Sequence, residues 1–289
     1  MKKLYRLFIL ISAVASLGLS FGCETLKKEY SLENRGSSFV DERKLSEQGK
    51  QTFEKLKEKN NTMRYPQYTA ALQRVGSTLT RNLSMPHTDW EFVVFDSNIP
   101  NAFALPGGKI GICSALFKYI DNDAELAMVV GHEISHIRCS HSSEQQGQDI
   151  LLGAVGSALE LTMENERIHK GYKLISNVGM TLPYSREHEY EADYFGLKLL
   201  SEAGYSPRRA IKFWDKMAKI SDQSEIDFFS THPNLYSRKQ ALMNRLDEFL
   251  LLYSQTPIKR GQTYTTSALK KKLSDKARLA KAMLEYYSK

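Results

Sequence analysis

Around His132–His136 the apolar residues Leu126, Ala127, Met128, Val129, Val130, Ile134 and Ile137 fall on every side of a helical projection. A helix that is apolar all round is buried all round. This stretch therefore predicts a central helix opening near Asp121 or Asp123, either of which suits an N-cap. A second helix is expected over 185–203, where Tyr190, Phe195, Leu197, Leu199 and Leu200 are apolar. Pro183 and Ser185 precede it, and Gly204 suits its C-terminal cap. Ser206-Pro207 then supplies a capping serine and a first-turn proline for another helix. Trp90–Phe95, rich in aromatic and β-branched residues, reads as a strand. Pro106-Gly107-Gly108 is turn chemistry and Lys109–Ile112 a return strand, so a short hairpin is expected beside the central helix. Residues 40–60 are charged and helix-prone, and 24–38 look like a tether. The pattern as a whole predicts an α+β fold, mainly helical, with a small β-hairpin or sheet.

The N-terminus has a different pattern. Lys2, Lys3 and Arg6 precede Leu7–Leu19, apolar apart from Ser12, Ser16 and Gly18. Such a run is short for a span of about 20 residues and reads as a signal-peptide core. Gly22 directly before Cys23 suggests a bacterial lipoprotein site with Cys23 lipidated, although Ser20 stands where such sites usually carry leucine. Ordinary secretion or a retained anchor are the alternatives. The expected organisation is a signal peptide at 1–22, a lipidated N-terminus and tether at 23–40, a catalytic domain at 41–250 and a basic helical tail at 251–289. That tail, with Lys270-Lys-Lys272, suits a solvated helix or contact with an anionic membrane face. Loss of Lys2, Lys3 and Arg6 removes three units from the formal charge of +7. The small remaining surplus implies no nucleic-acid partner. With Cys23 committed to lipid, Cys113 and Cys139 remain. If one opens a helix and the other closes the next, they lie on the order of 12 Å apart, too far for a disulfide. Two buried thiols are expected, and a zinc site on Cys139 and His141 lacks partners.

Candidate chemistry sits on the two buried helices. His132-Glu-Ile-Ser-His136 is an HExxH string. Positions i and i+4 share one helical face, so both imidazoles can reach one metal ion. Glu133 lies about 100° round the helix, outside the ligand set but within reach of a water that zinc would acidify to a pKa of roughly 7. Alone the string also suits a pair of structural histidines. Zinc needs a third protein ligand, with a fourth position open. The metzincin pattern would put a third histidine six residues after the second, but here His141 is five on and Cys139 replaces the glycine. Glu189-Tyr-Glu-Ala-Asp193 offers instead two acids on one helical face. Glu189 is assigned to zinc and Asp193 to orienting a ligand histidine. Between these motifs Leu151–Leu159 is small and apolar, suiting a mobile cover, a membrane contact or a packed core helix. The hairpin can hold an extended substrate by edge pairing or be a plain cover for the core.

Four strings occur in order: Asn101-Ala-Phe-Ala-Leu-Pro-Gly-Gly108, Gly131-His-Glu-Ile-Ser-His136, Ser185-Arg-Glu-His-Glu-Tyr-Glu-Ala-Asp193, and Thr231-His-Pro233 followed by Arg238. With these the chain resembles the HtpX/BepA/LoiP-like family of integral-membrane and envelope zinc metallopeptidases, from about Leu45 to Leu246. The layout is closest to the members without helical repeats. The resemblance implies a zincin-like metallopeptidase domain of the gluzincin type, holding one zinc ion on His132, His136 and Glu189. It also implies that His232 regulates access or contacts substrate, and that Arg238 supports the active-site acids. Glu133, His232 and Arg238 are thus the catalytic candidates, the latter two as possible oxyanion stabilisers. Asn101, Ala102, Phe103 and Ala104 are the candidate substrate contacts. The implied function is endopeptidase cleavage of misfolded or misassembled envelope proteins, by a lipoprotein facing the periplasm from the outer membrane. A reading from another class is a zinc-stabilised assembly factor that binds such proteins without cutting them. A third is a latent protease, with His232 or the 142–184 segment covering the metal. No feature of the chain sets an oligomeric state.

Overall fold

The computed structural model describes residues 30, 40–60, 62, 65–147, 185–221, 235–261 and 264, with side chains at 218–221 excepted. The chain divides into Met1–Ser31 and Leu32–Lys289, and every element below belongs to the second unit. The expected signal segment, Cys23, the 151–159 stretch, the Thr231–Pro233 string with His232, and the end of the tail lie outside the described residues.

Helix α1 (Glu42–Lys59) starts where the Asp41 carboxylate accepts the backbone N–H groups of Arg43 and Lys44. Helix α2 (Pro66–Thr80) has proline at its first position. Three short strands follow: β1 (Glu91–Phe95), β2 (Ala102–Leu105) and β3 (Lys109–Cys113). β3 is central. β1 runs parallel to it, with Phe92 opposite Ile110 and Val94 opposite Ile112. β2 runs antiparallel, with Ala102 opposite Ile112 and Leu105 opposite Lys109. The hairpin is therefore β2–β3, whereas the sequence pattern pairs Trp90–Phe95 with 109–112 as consecutive antiparallel strands. Four residues of Ala-Phe-Ala-Leu are too few to announce a strand, yet they take the antiparallel place and leave β1 as a parallel neighbour. Cys113 ends β3 and leads into a 3₁₀ turn (Ser114–Tyr119) rather than opening an α-helix. It is half-buried, and Cys139 is buried.

The central helix is α3 (Asp123–Arg138), and every residue from Asp123 to His136 is buried. Its cap is Asn122, not either neighbouring aspartate: the Asn122 side chain accepts from the Ala124 and Glu125 N–H groups. Asp123 is committed elsewhere, to a two-bond fork from Arg74 at 2.7 and 3.1 Å. Helix α4 (Arg186–Glu202) is capped by the Ser185 hydroxyl, which accepts from His188 N–H. It ends at Gly204, whose φ of +87° lets the Tyr205 N–H turn back to the Leu200 carbonyl at 2.9 Å. Helices α5 (Pro207–Ser221), α6 (Leu235–Asn244) and α7 (Leu246–Gln255) complete the body. Leu72, Ile110, Ile112, Met128, Val130, Leu197, Phe213 and Trp214 join sheet and helices in one core.

The boundary expected at residue 250 falls inside α7. Beyond it the chain still packs on the body. Arg260 N–H donates to the Gly204 carbonyl at 2.7 Å, and the Tyr264 hydroxyl donates to Asp123 at 2.7 Å. Among the described residues no helix is long and apolar enough to cross a membrane.

α3 crosses α4 at close range, glycine against glycine. A Cβ on Gly196 would lie 2.8 Å from the His132 backbone nitrogen, and one on Gly131 would lie 3.0 Å from the Gly196 carbonyl oxygen. Gly196→Ala is expected to push the helices apart and destabilise the fold by about 1–3 kcal/mol. Thermal unfolding should register a melting temperature lower by roughly 2–10 °C; an unchanged value would mean the crossing has slack.

Candidate metal centre

The buried face of α3 presents His132 and His136 one turn apart, and α4 brings Glu189 across from them. The two Nε2 atoms are 3.0 Å apart. Glu189 Oε1 lies 3.3 Å from His136 Nε2, and its Oε2 lies 3.5 Å from His132 Nε2. Zinc bonds of 2.0–2.1 Å in a tetrahedron put neighbouring donors about 3.3 Å apart. Two imidazole nitrogens and a carboxylate, each 2% exposed or less, thus have the spacing and chemistry of a three-ligand zinc set. Glu133 is buried on the same helix, one residue round from His132.

Behind the donors sits a charged layer. His132 Nδ1 is 2.9 Å from Asp193 Oδ1, which fixes the ring so that Nε2 faces Glu189 and His136. Arg238, on α6, donates to Asp193 through Nε and Nη2, both at 2.7 Å. Its Nη1 lies 2.5 Å from Glu189 Oε2, and the guanidinium rests 4.7 Å from the Trp214 ring centre. Burial alone would raise the Asp193 carboxyl, but the Arg238 charge and its hydrogen bonds outweigh burial and hold it below the usual carboxylate range. Burial works against the Arg238 charge, and Asp193 and Glu189 more than offset it. Burial pushes His136 well below the ordinary histidine range, against the opposing pull of Glu189.

This placement revises one expectation for Arg238. Its guanidinium is fully buried and occupied by Asp193 and Glu189. Held between these two acids, it is not disposed to meet a substrate oxyanion. His232, the other residue named for that role, lies outside the described residues.

Two residues of this centre escaped the sequence reading. α3 stops at Arg138, and Ser140 takes the left-handed φ of 54°, which costs a non-glycine residue about 1–2 kcal/mol. The chain thereby doubles back, and His141 Nδ1 comes to 2.8 Å from His136 Nδ1. The other ring nitrogen of His141 is 3.0 Å from Glu191 Oε2. Glu191 is thus the partner that Cys139 and His141 seemed to lack, and the three donor groups lie within 4.8 Å of one another. Burial lowers the His141 pKa, with Glu191 acting against it. Glu191 sits two positions from Glu189 and two from Asp193, about 200° round α4 from each. A face assignment for the two outer acids therefore had to leave it out. The remaining signal was the extra histidine after HExxH.

Among the candidate substrate contacts, Asn101 and β2 form an edge of the sheet. Ala102 is buried, and Phe103 packs its ring against Phe53 and Phe95 at centroid distances of 6.4 and 5.5 Å. Phe103 is itself only half-buried, and beside it the segment presents the margin of the sheet. Cys23 lies outside the described residues.

Comparison with known proteins matches residues 66–246 to the family described as Peptidase family M48. The mitochondrial metalloendopeptidase OMA1 of Arabidopsis thaliana is 35% identical over 176 residues, covering 60% of this chain and 35% of that protein. The β-barrel assembly-enhancing protease of Yersinia pestis is 32% identical, over 63% of this chain and 40% of its own length. Metalloprotease LoiP of Escherichia coli strain K12 is 25% identical, over 62% of this chain and 71% of its own. The first two relatives thus extend well beyond the part they share with this chain.

Removing the Arg238 charge should leave Asp193 and Glu189 buried without their counter-ion. In chelator-treated protein, Arg238→Met is expected to lose about 3–5 kcal/mol of stability by urea unfolding. Adding Asp193→Asn should recover part of that loss. An unchanged midpoint in Arg238→Met would show that the ion pair carries little.

Proposed function

The chain belongs to peptidase family M48, whose members use zinc, and from that premise we propose that it is a zinc-dependent endopeptidase of the bacterial cell envelope. The convergence of His132, His136 and Glu189 carries this reading. A zinc ion held there would supply Lewis-acid activation of water and polarisation of the scissile carbonyl. Glu133 takes the proton from the attacking water and returns it to the leaving amine. Asp193 keeps His132 in the tautomer that frees Nε2, and Arg238 holds both Asp193 and Glu189 in place. The outer edge of β2, at the margin of the three-stranded sheet, aligns an extended substrate by backbone pairing, beginning at Asn101.

The proposed substrates are misfolded or misassembled envelope proteins. A relative named for β-barrel assembly supports that class, while relatives named as mitochondrial show that the shared region does not set the compartment. The compartment rests on the N-terminal pattern, with Cys23 lipidated and the enzyme anchored at the outer membrane facing the periplasm.

Glu133→Gln should retain zinc at wild-type stoichiometry and lose about 10²–10⁴-fold in casein cleavage. Equal cleavage by the variant would remove the hydrolytic reading and leave a zinc-stabilised binding protein. For the anchor, Cys23→Ser should abolish palmitate labelling in a bacterial host and move the protein out of the membrane fraction. Labelled, membrane-bound variant would refute lipidation at that residue.

A further inference from the structure

His136 turns Nε2 toward His132 and Glu189, and Nδ1 toward His141. A metal taken on the first side requires the Nε2 lone pair, so the ring proton stays on Nδ1. The atom facing that proton is Nδ1 of His141, 2.8 Å away. It can accept only if the His141 proton sits on Nε2, and there Glu191 Oε2 waits at 3.0 Å. We propose that Glu191 and His141 form an orienting relay that sets the tautomer and ring direction of His136, as Asp193 does directly for His132. Both are positioning residues, and their role rests on the zinc reading given above.

The same proton count rules out simultaneous use of Cys139, His141 and Glu191 as a second metal site, although their donor atoms cluster within 4.8 Å. A metal on Nε2 of His141 would move that ring's proton to Nδ1. There it would confront the Nδ1 proton of a metal-bound His136, donor against donor at 2.8 Å. The backbone supports the relay independently. Ser140 is held at a φ of 54°, a conformation that a non-glycine residue keeps only where its surroundings impose it, and its consequence is the return of His141 over α3. His141 is further stacked on His188 at 4.2 Å, and His188 Nε2 is 3.1 Å from Glu144, so the ring is clamped in its plane.

The test is zinc affinity of the full chain, read by competition with a chromophoric chelator, with casein cleavage alongside. Wild type should hold one zinc. His141→Phe should bind it about 10–100-fold more weakly, and its cleavage, lost at limiting zinc, should return when zinc is added. His141→Gln has an amide that can accept from His136 and donate to Glu191, so its affinity should lie close to wild type. Cys139→Ala should change neither affinity nor stoichiometry. Should His141→Phe fail to fold, the same competition on Glu191→Ala and Glu191→Gln decides: weaker binding in the first and retention in the second support the relay. Wild-type affinity in His141→Phe or Glu191→Ala, or a second zinc lost with Cys139→Ala, would overturn it. A wild-type protein that binds no zinc strikes the functional reading itself, whereas equal binding by wild type and variant strikes the relay alone.

Discussion

The backbones of α3 and α4 meet at Gly131 and Gly196 with no room for a methyl group on either side. Side chains normally hold helix axes 8–10 Å apart; two facing glycines remove that spacer. On α4, Glu189, Asp193 and Gly196 follow at i, i+4 and i+7, one stripe of the helix. On α3, Gly131 directly precedes His132. The contact therefore lets short acidic side chains reach imidazoles across the interface, instead of ending in the gap between two helices. The geometry of the metal centre is a consequence of how small these two positions are.

Such closeness creates an electrostatic problem. Glu133, Glu189 and Asp193 are all 1% exposed, far from the water that normally solvates carboxylates. Arg238 faces two of them with a rigid fork that a lysine could not match, and the Trp214 ring covers its flat side. Three carboxylates against one guanidinium leave a formal surplus of two negative charges. A divalent cation is the natural complement, so the charge balance and the donor spacing point the same way. A layer of this kind is fragile toward loss of one member and would tolerate joint neutralisation better.

Outside that layer the two ligand histidines are supported unequally. His132 has a carboxylate directly behind it. His136 has a second imidazole, with a carboxylate one step further out. The difference traces to where the chain goes next. His132 lies mid-helix beneath α4, whereas His136 lies near the end of α3, where the backbone must turn and can return a side chain of its own.

Much of this was legible along the chain because it depends on local periodicity. The all-round apolar run foretold a buried α3, the capping residues at Ser185 and Gly204 bounded α4, and the i, i+4 spacings told which histidines and acids share a face. Pairing of the strands was not legible: β2 is four residues long, and a parallel neighbour such as β1 carries no turn signal to mark it. Nor was the placement of Glu191 and His141, since one faces away from its neighbouring acids and the other depends on a serine adopting a glycine-like backbone. Sequence by itself determined the chemical inventory and its helical faces, because those repeat every few residues. Only tertiary structure decided which face meets which, how closely, and what stands behind each ligand, because those are contacts between residues about 50 to 100 positions apart that no local pattern encodes.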